Sequence, residues 1–181
     1  MSVFTNPASQ SIEQAKNYTS AVLDLLGARD PLDVLLTTEA GLRRALEGVS
    51  PAQIAEPEAP GKWSMRQVMQ HLADSELVWA YRLRLVLAQD RPELKGYDQD
   101  LWADRLRYHE ADAARAVDEF SVLRRANLRL LQSASAADLE RVGVHAERGE
   151  ESVEHMVRLY AGHDLLHLKQ LDRIRQAVAP R

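Results

Sequence analysis

The segment AGHDLLHLKQ, residues 161–170, sets two histidines four positions apart in a stretch of helical character. Residues at i and i+4 of a helix have Cβ atoms about 5–6 Å apart, so His163 and His167 can reach one ion at metal–nitrogen distances of about 2.1 Å. The same spacing suits two hydrogen-bonded core histidines, and on this pair alone both readings stand. The residues also spell H-D-x-x-H, one methylene short of the H-E-x-x-H zinc-protease signature, which needs a further ligand downstream. Only Asp172 is available there, about 140° around the helix from His167. A protease site of that kind is not expected.

A third ligand must then come from upstream, and His71 in KWSMRQVMQHLADSE is the prime candidate. It flanks the apolar stripe of Met65, Val68, Leu72, Trp79 and Val86, and facing helices of a bundle project such residues into a shared interior. His71, His163 and His167 would form a three-nitrogen face with open positions, the arrangement of catalytic rather than structural sites. A partly exposed helix histidine is an equal reading of His71. Asp74, one turn on, could orient an imidazole or face solvent, and Asp164 is expected to support the site or lie at the surface rather than act as a base.

His155 lies two turns from His163, roughly 12 Å along the axis, too far to share an ion. His109 and His145 read as solvated loop histidines that could line a pocket mouth. Tyr97, Trp102 and Tyr160 read as packing residues that could also line a substrate pocket. The pairs Arg82/Arg84 and Arg124/Arg125 read as solvated faces. There is no G-x-S-x-G elbow, phosphate-binding glycine loop or calcium loop.

The elements that must hold these residues follow from periodicity and caps. A first helix is expected from about Ser9 to Leu26, with Gly27 as its stop. Asp30 and Pro31 suit the cap and first position of a second, which runs through Leu32, Leu35, Leu36, Leu42 and Leu46 to Gly48. Pro51, Pro57 and Pro60 make Val49–Lys62 an expected extended connector. Ser64 and Gln67 form a capping box, with Trp63 and Val68 as its staple, opening a long helix to Gln89. A loop through Gly96 and Tyr97 leads to a short amphipathic piece, about Gln99–Arg105. A further long helix fits Asp112–Gln132, with Ala113, Val117, Phe120, Leu123, Leu130 and Leu131 inward. Gly143 and Gly149 bound a turn-rich stretch that could be a hairpin, and Ser152 caps a last helix to about Val178. Its inward stripe is Val153, Met156, Tyr160, His163, His167, Leu171, Ile174 and Val178.

These helices can bury their stripes only against one another, so the expected fold is all-α, a helical bundle with an additional N-terminal helix. The 181 residues suit a single domain with a core at about residues 30–178, and no repeat or low-complexity tract interrupts it. The 23 Lys+Arg are scattered among 27 Asp+Glu, net charge −4, which argues against a nucleic-acid partner. With no cysteine, the chain has no thiolate ligand or cysteine nucleophile, and thiol chemistry would need a thiol from outside. No signal-peptide pattern opens the chain and no run is apolar enough to span a membrane, so a cytoplasmic protein without a membrane partner is expected.

Three segments together, KWSMRQVMQHLADSE, GYDQDLWA and YAGHDLLHLKQL, resemble the DinB-like (DinB/YfiT-like) superfamily of metalloenzymes, over roughly Asp30 to Arg175. The resemblance implies a four-helix bundle of up-down-down-up course. It also implies a divalent metal held by three histidines, which fall here on His71, His163 and His167. Members of the family use low-molecular-weight thiols such as bacillithiol or mycothiol, as S-transferases or isomerases, and others carry only the label of hydrolase. In the mycothiol-dependent isomerases one ligand is a Glu where this chain has His163, which points toward the bacillithiol-transferase branch. The leading expectation is an S-transferase that joins a small thiol to an electrophile on zinc or nickel, metals natural for imidazole ligands. The alternatives are a hydrolase whose open metal position holds hydroxide, and a non-catalytic helical interaction module. Dimers are common in the family, which implies a homodimer.

Overall fold

The computed structural model describes residues 12–179. Helix α1 (Ile12–Leu26) is followed by α2 (Pro31–Leu46), α3 (Pro51–Ala55) and α4 (Met65–Ala88). Strand β1 (Glu93–Leu94), α5 (Gln99–Arg105) and a 3-10 turn at Tyr108–Glu110 lead to α6 (Ala113–Ser133) and α7 (Ala136–Glu140). A hairpin of β2 (Val142–His145) and β3 (Gly149–Ser152) then feeds α8 (Val153–Ala177). The expected start of the first helix at Ser9 lies outside the described residues.

Local chemistry sets the helix starts. Asp30 accepts from the Leu32 N–H at 2.8 Å, with Pro31 at the first helical position of α2. At α4 the Ser64 N–H donates to Gln67 Oε1 at 3.0 Å, and at α8 Ser152 Oγ accepts from the His155 N–H at 3.0 Å. The expectation of an extended Val49–Lys62 connector is corrected at α3. Pro51 occupies its first position, where a missing N–H costs nothing, and Ser50 with Gln53 completes a capping box.

Four helices form the bundle, and their contacts fix its course. Thr38 of α2 meets Asp164 of α8, and Arg175 further along α8 meets the Arg44 and Glu47 carbonyls at the far end of α2, so these helices are parallel. Along α4 and α6, Arg66 meets the His109 carbonyl just before α6, Glu76 meets Arg124, and Arg84 meets Asn127, again parallel. His71 and Trp79 of α4 meet His163 and Tyr160 of α8 in the opposite order, which makes that pair antiparallel. The result is an up-down-down-up four-helix bundle. Residues 89–112 carry the chain back along it, and α1 packs on the outside of α8. Gly162 permits that approach, since a Cβ there would lie 2.3 Å from the Val22 carbonyl oxygen.

The apolar interior falls into two clusters. One gathers Leu35, Trp79, Leu83, Val86 and Val153 near the hairpin; the other gathers Leu42, Met65, Leu72, Phe120 and Leu171 toward the opposite end. Between them lies a buried polar layer containing Thr38, His71, Glu76, Arg124, Asn127, Asp164 and His167. Leu32 and Leu36, counted in the α2 stripe, are 42% and 56% exposed, and on α6 Asn127 and Leu128 are buried where Leu123 and Leu130 are only partly so. The small sheet has the order β1-β2-β3: the expected hairpin is present, and β1 adds a parallel edge through the pairs Glu93 with Val144 and Leu94 with His145. No helix among the described residues is long and apolar enough to cross a membrane.

Candidate metal centre

His71 stands in the second turn of α4, and His163 and His167 stand on successive turns of α8, facing it across the bundle. Their Nε2 atoms converge: 3.3 Å from His71 to His163 and 3.1 Å from His163 to His167, with the three ligand atoms all within 4.8 Å of one another. His71 and His167 are buried and His163 is half-buried, and burial is the main cause that lowers each imidazole's pKa, that of His167 to about 4. All three are therefore neutral near pH 7, the form that ligates metals.

The hydrogen-bond pattern tests the fit of an ion. Gln170 Oε1, an obligate acceptor, lies 2.8 Å from His167 Nδ1, so that nitrogen carries the proton and His167 Nε2 presents a bare lone pair to the cluster. A single proton on His163 Nε2 can serve only one of its two neighbours. A divalent cation satisfies all three lone pairs at once, so the donor set fits a metal. His71 lacks a comparable orienting bond: its Nδ1 is buried without a hydrogen-bond partner among the described residues, while the Trp63 ring lies 5.1 Å away.

The carboxylates considered as supports are engaged elsewhere. Asp74 accepts from Tyr108 Oη at 2.5 Å and from Gln70 at 3.3 Å. Asp164, between the two α8 histidines in sequence, is buried and accepts from Arg124 Nη1 at 2.7 Å and Thr38 Oγ1 at 2.8 Å. The Arg124 guanidinium also holds Glu76 in a fork at 3.0 and 2.9 Å and donates to the Leu35 carbonyl at 2.9 Å. Asn127 adds a bond to Glu76 at 2.8 Å. Reading Arg124 as solvated is thus corrected: at 2% exposed it is the hub that ties α2, α4 and α8 to α6. Burial works against its charge, but Asp164 and Glu76 outweigh it and hold its pKa above the ordinary value. Arg84 is exposed as expected, although it donates to Asn127 at 2.9 Å, and Arg125 stays on the surface near Glu39.

His71 and His163 line a solvent-open pocket between α1, α4, α8, the loop at Gly96–Gln99 and the hairpin. Tyr97 and Tyr160 are in its wall. Tyr97 Oη lies 2.9 Å from Ser75 Oγ, which lies 3.4 Å from His71 Nε2, and burial raises the Tyr97 pKa so that the phenol stays protonated. Tyr160 stacks on Trp79 at 4.6 Å, and Trp102 packs against Tyr97. His145 is 2% exposed and lines the pocket, which corrects its reading as a solvated loop residue; pairing of β2 with both neighbours holds it inside. Arg82, also read as solvated, is 6% exposed and lines the same pocket. His109 is exposed, and His155 lies outside the imidazole cluster. The sequence reading missed Gln170, whose place one turn after His167 was its available signal.

Comparison with known proteins agrees with this picture. The sequence profile of the DinB superfamily matches residues 35–171. A Bacillus mycoides (strain KBAB4) protein, whose name proposes a metal-dependent hydrolase, is 30% identical over 139 residues, 75% of this chain and 78% of its own length. An Oceanobacillus iheyensis protein named in the same way is 32% identical over 111 residues, 61% of this chain and 64% of its own. Among solved structures, YfiT from Bacillus subtilis superposes with a TM-score of 0.72 at 23% identity, covering 96% of this chain and 97% of its own. YfiT is described as a proposed metal-dependent hydrolase with an unusual four-helix bundle topology.

Proposed function

The chain belongs to the DinB superfamily, and on that premise we propose that it is a metal-dependent hydrolase of small molecules, with His71, His163 and His167 as the ligands. The observation that carries this reading is the convergence of three neutral Nε2 atoms, two of them on imidazoles that line an open pocket. The hydrolase names of the relatives support it. A divalent ion such as zinc or nickel supplies, when bound, a Lewis acid with positions left for water or substrate.

The chain's own residues then have distinct tasks. Gln170 keeps the proton of His167 on Nδ1, away from the ligating nitrogen. The Arg124 network fixes the rotation of α8 against α4, so that both α8 imidazoles face His71. The Ser75 and Tyr97 hydroxyls beside His71 can donate to a substrate oxygen that gains negative charge. Trp79 and Tyr160 close one wall to water.

A second reading, S-transfer of a low-molecular-weight thiol to an electrophile, is favoured by a specific observation. Among the described residues no carboxylate touches the three imidazoles, and Glu151 in the pocket wall is held by Arg148 at 2.5 and 2.9 Å. Water would lack a side-chain base there, whereas a thiol ionises more readily and needs less help. One experiment separates the two: metal-loaded protein is offered nitrophenyl esters and anilides without thiol, then a chromogenic electrophile with and without a small thiol. Turnover without thiol that disappears on chelation and in His163→Ala supports the hydrolase. Turnover only with thiol supports the transferase. Inactivity on every pair leaves the interaction module as the standing account.

A further inference from the structure

Away from the imidazoles the pocket is lined by Arg82, His145 and Arg148 together with the carboxylates Glu147 and Glu151. Arg82 lies eleven residues beyond His71 on the same face of α4, roughly 16 Å along the helix. The residue is 6% exposed, and its hydrogen bond among the described residues is to the Lys95 carbonyl. No carboxylate among those residues forms an ion pair with it, in contrast to Arg148, which Glu151 neutralises, and to Arg124, which holds two carboxylates. A buried cation without a counter-charge is costly unless water or an anion meets it, and this one lines the pocket.

His145 gives a second, independent sign. Its Nδ1 accepts from the Glu147 N–H at 3.2 Å, so the proton sits on Nε2. That Nε2–H is buried and has no partner among the described residues. It is a donor waiting for an acceptor, and it lines the same pocket as Arg82. Glu147 is the unpaired carboxylate of the lining. It sits half-buried at the hairpin turn and forms no ion pair with Arg82.

We propose that this end of the pocket is an oxyanion subsite, in which Arg82 and His145 Nε2–H hold the carboxylate or phosphate of the substrate. Resting on the reading of the imidazole cluster as the reactive end, it makes the substrate an elongated anion whose acidic group lies several bonds from the bond that reacts. Val22, Met156 and Leu159 also line the pocket and suit an apolar or lightly substituted linker. A guanidinium meets a carboxylate or phosphate in a fork of two N–H donors, which a lysine cannot reproduce.

The test is binding, so that it is independent of turnover. Octanoate and its neutral isostere octanamide are titrated calorimetrically into the full chain, with added zinc and again after chelation. The expected result is octanoate binding at least about tenfold tighter than octanamide in both conditions, with the preference lost in Arg82→Gln and weakened in His145→Phe. His163→Ala should keep the preference. Equal binding of the two ligands, or binding of neither, overturns the proposal using wild-type protein alone, whatever the fate of the variants. A carboxylate preference that vanishes on chelation or in His163→Ala but survives Arg82→Gln also overturns it, since the anion is then at the imidazoles. Absence of hydrolysis with the octanoate preference intact would count against the hydrolase and leave the subsite standing.

Discussion

His167 donates through Nδ1 to Gln170 Oε1 at 2.8 Å, and this one bond decides which face of the imidazole is free. The bare Nε2 points at His163 Nε2, 3.1 Å away, as a ligand would. A side chain one helical turn downstream thus prepares the metal-facing nitrogen before any ion arrives.

Gln170→Leu should therefore weaken metal binding by about 10- to 100-fold without unfolding the bundle, and Gln170→Glu should retain it, because a carboxylate accepts the same proton. Competition against a chromophoric chelator reads this. Equal affinities in wild type and Gln170→Leu would mean that the tautomer is set by something else.

Arg124→Met should cost about 3–5 kcal/mol of folding stability, because Glu76 and Asp164 remain buried without their cation. Replacing all three residues by apolar side chains of similar volume should recover much of that loss. Urea unfolding curves compare the variants, and a loss below about 1 kcal/mol for Arg124→Met would show that the two carboxylates find other partners.

Metal-free protein should lose stability on mild acidification. Burial is the main cause holding His167 down at about 4 and His145 at about 3, below the value near 6.5 of an unfolded chain. Their contribution is complete above about pH 6.5 and is lost as the pH falls toward those folded values, because the unfolded chain then binds protons that the folded one refuses. The slope is up to about 1.4 kcal/mol per pH unit for each histidine. Denaturant titrations from pH 4.5 to 8 should show it, with a shallower slope in His145→Gln; an unchanged slope in that variant would contradict the assignment.

Gly162→Ala should loosen α1 from α8, since the new methyl would meet the Val22 carbonyl oxygen at 2.3 Å. A destabilisation of about 1–3 kcal/mol is expected, with faster amide exchange concentrated in α1. Because Tyr18, Thr19 and Val22 line the pocket, ligand binding should weaken as well. Undisturbed exchange in α1 would show that the methyl is accommodated without loosening the helix.

Much of this arrangement was legible in the chain because it is local. The Ser64–Gln67 pair marks the start of α4, Gln99–Arg105 is a helix as its spacing indicates, and the i,i+4 histidines share the buried stripe of α8. What stayed hidden depends on distant partners. Arg124 looks like a surface residue until Glu76 and Asp164, 48 and 40 positions away in sequence, are brought beside it. Arg82 has no carboxylate at helical spacing to reveal that it is inside, and the two-residue β1 exists only through pairing with β2. Pro51 misled in the opposite direction: three prolines suggested an extended connector, although the Ser50 cap makes the first of them a helix starter.

Metal content tests most directly whether His71, His163 and His167 hold an ion. Protein purified without an affinity tag, dialysed against trace zinc and nickel, is analysed by elemental mass spectrometry beside His71→Ala, His163→Ala and His167→Ala. The predicted result is about one divalent ion per chain in the wild type and a clear loss in each variant. A wild type that retains no more metal than the variants would contradict it.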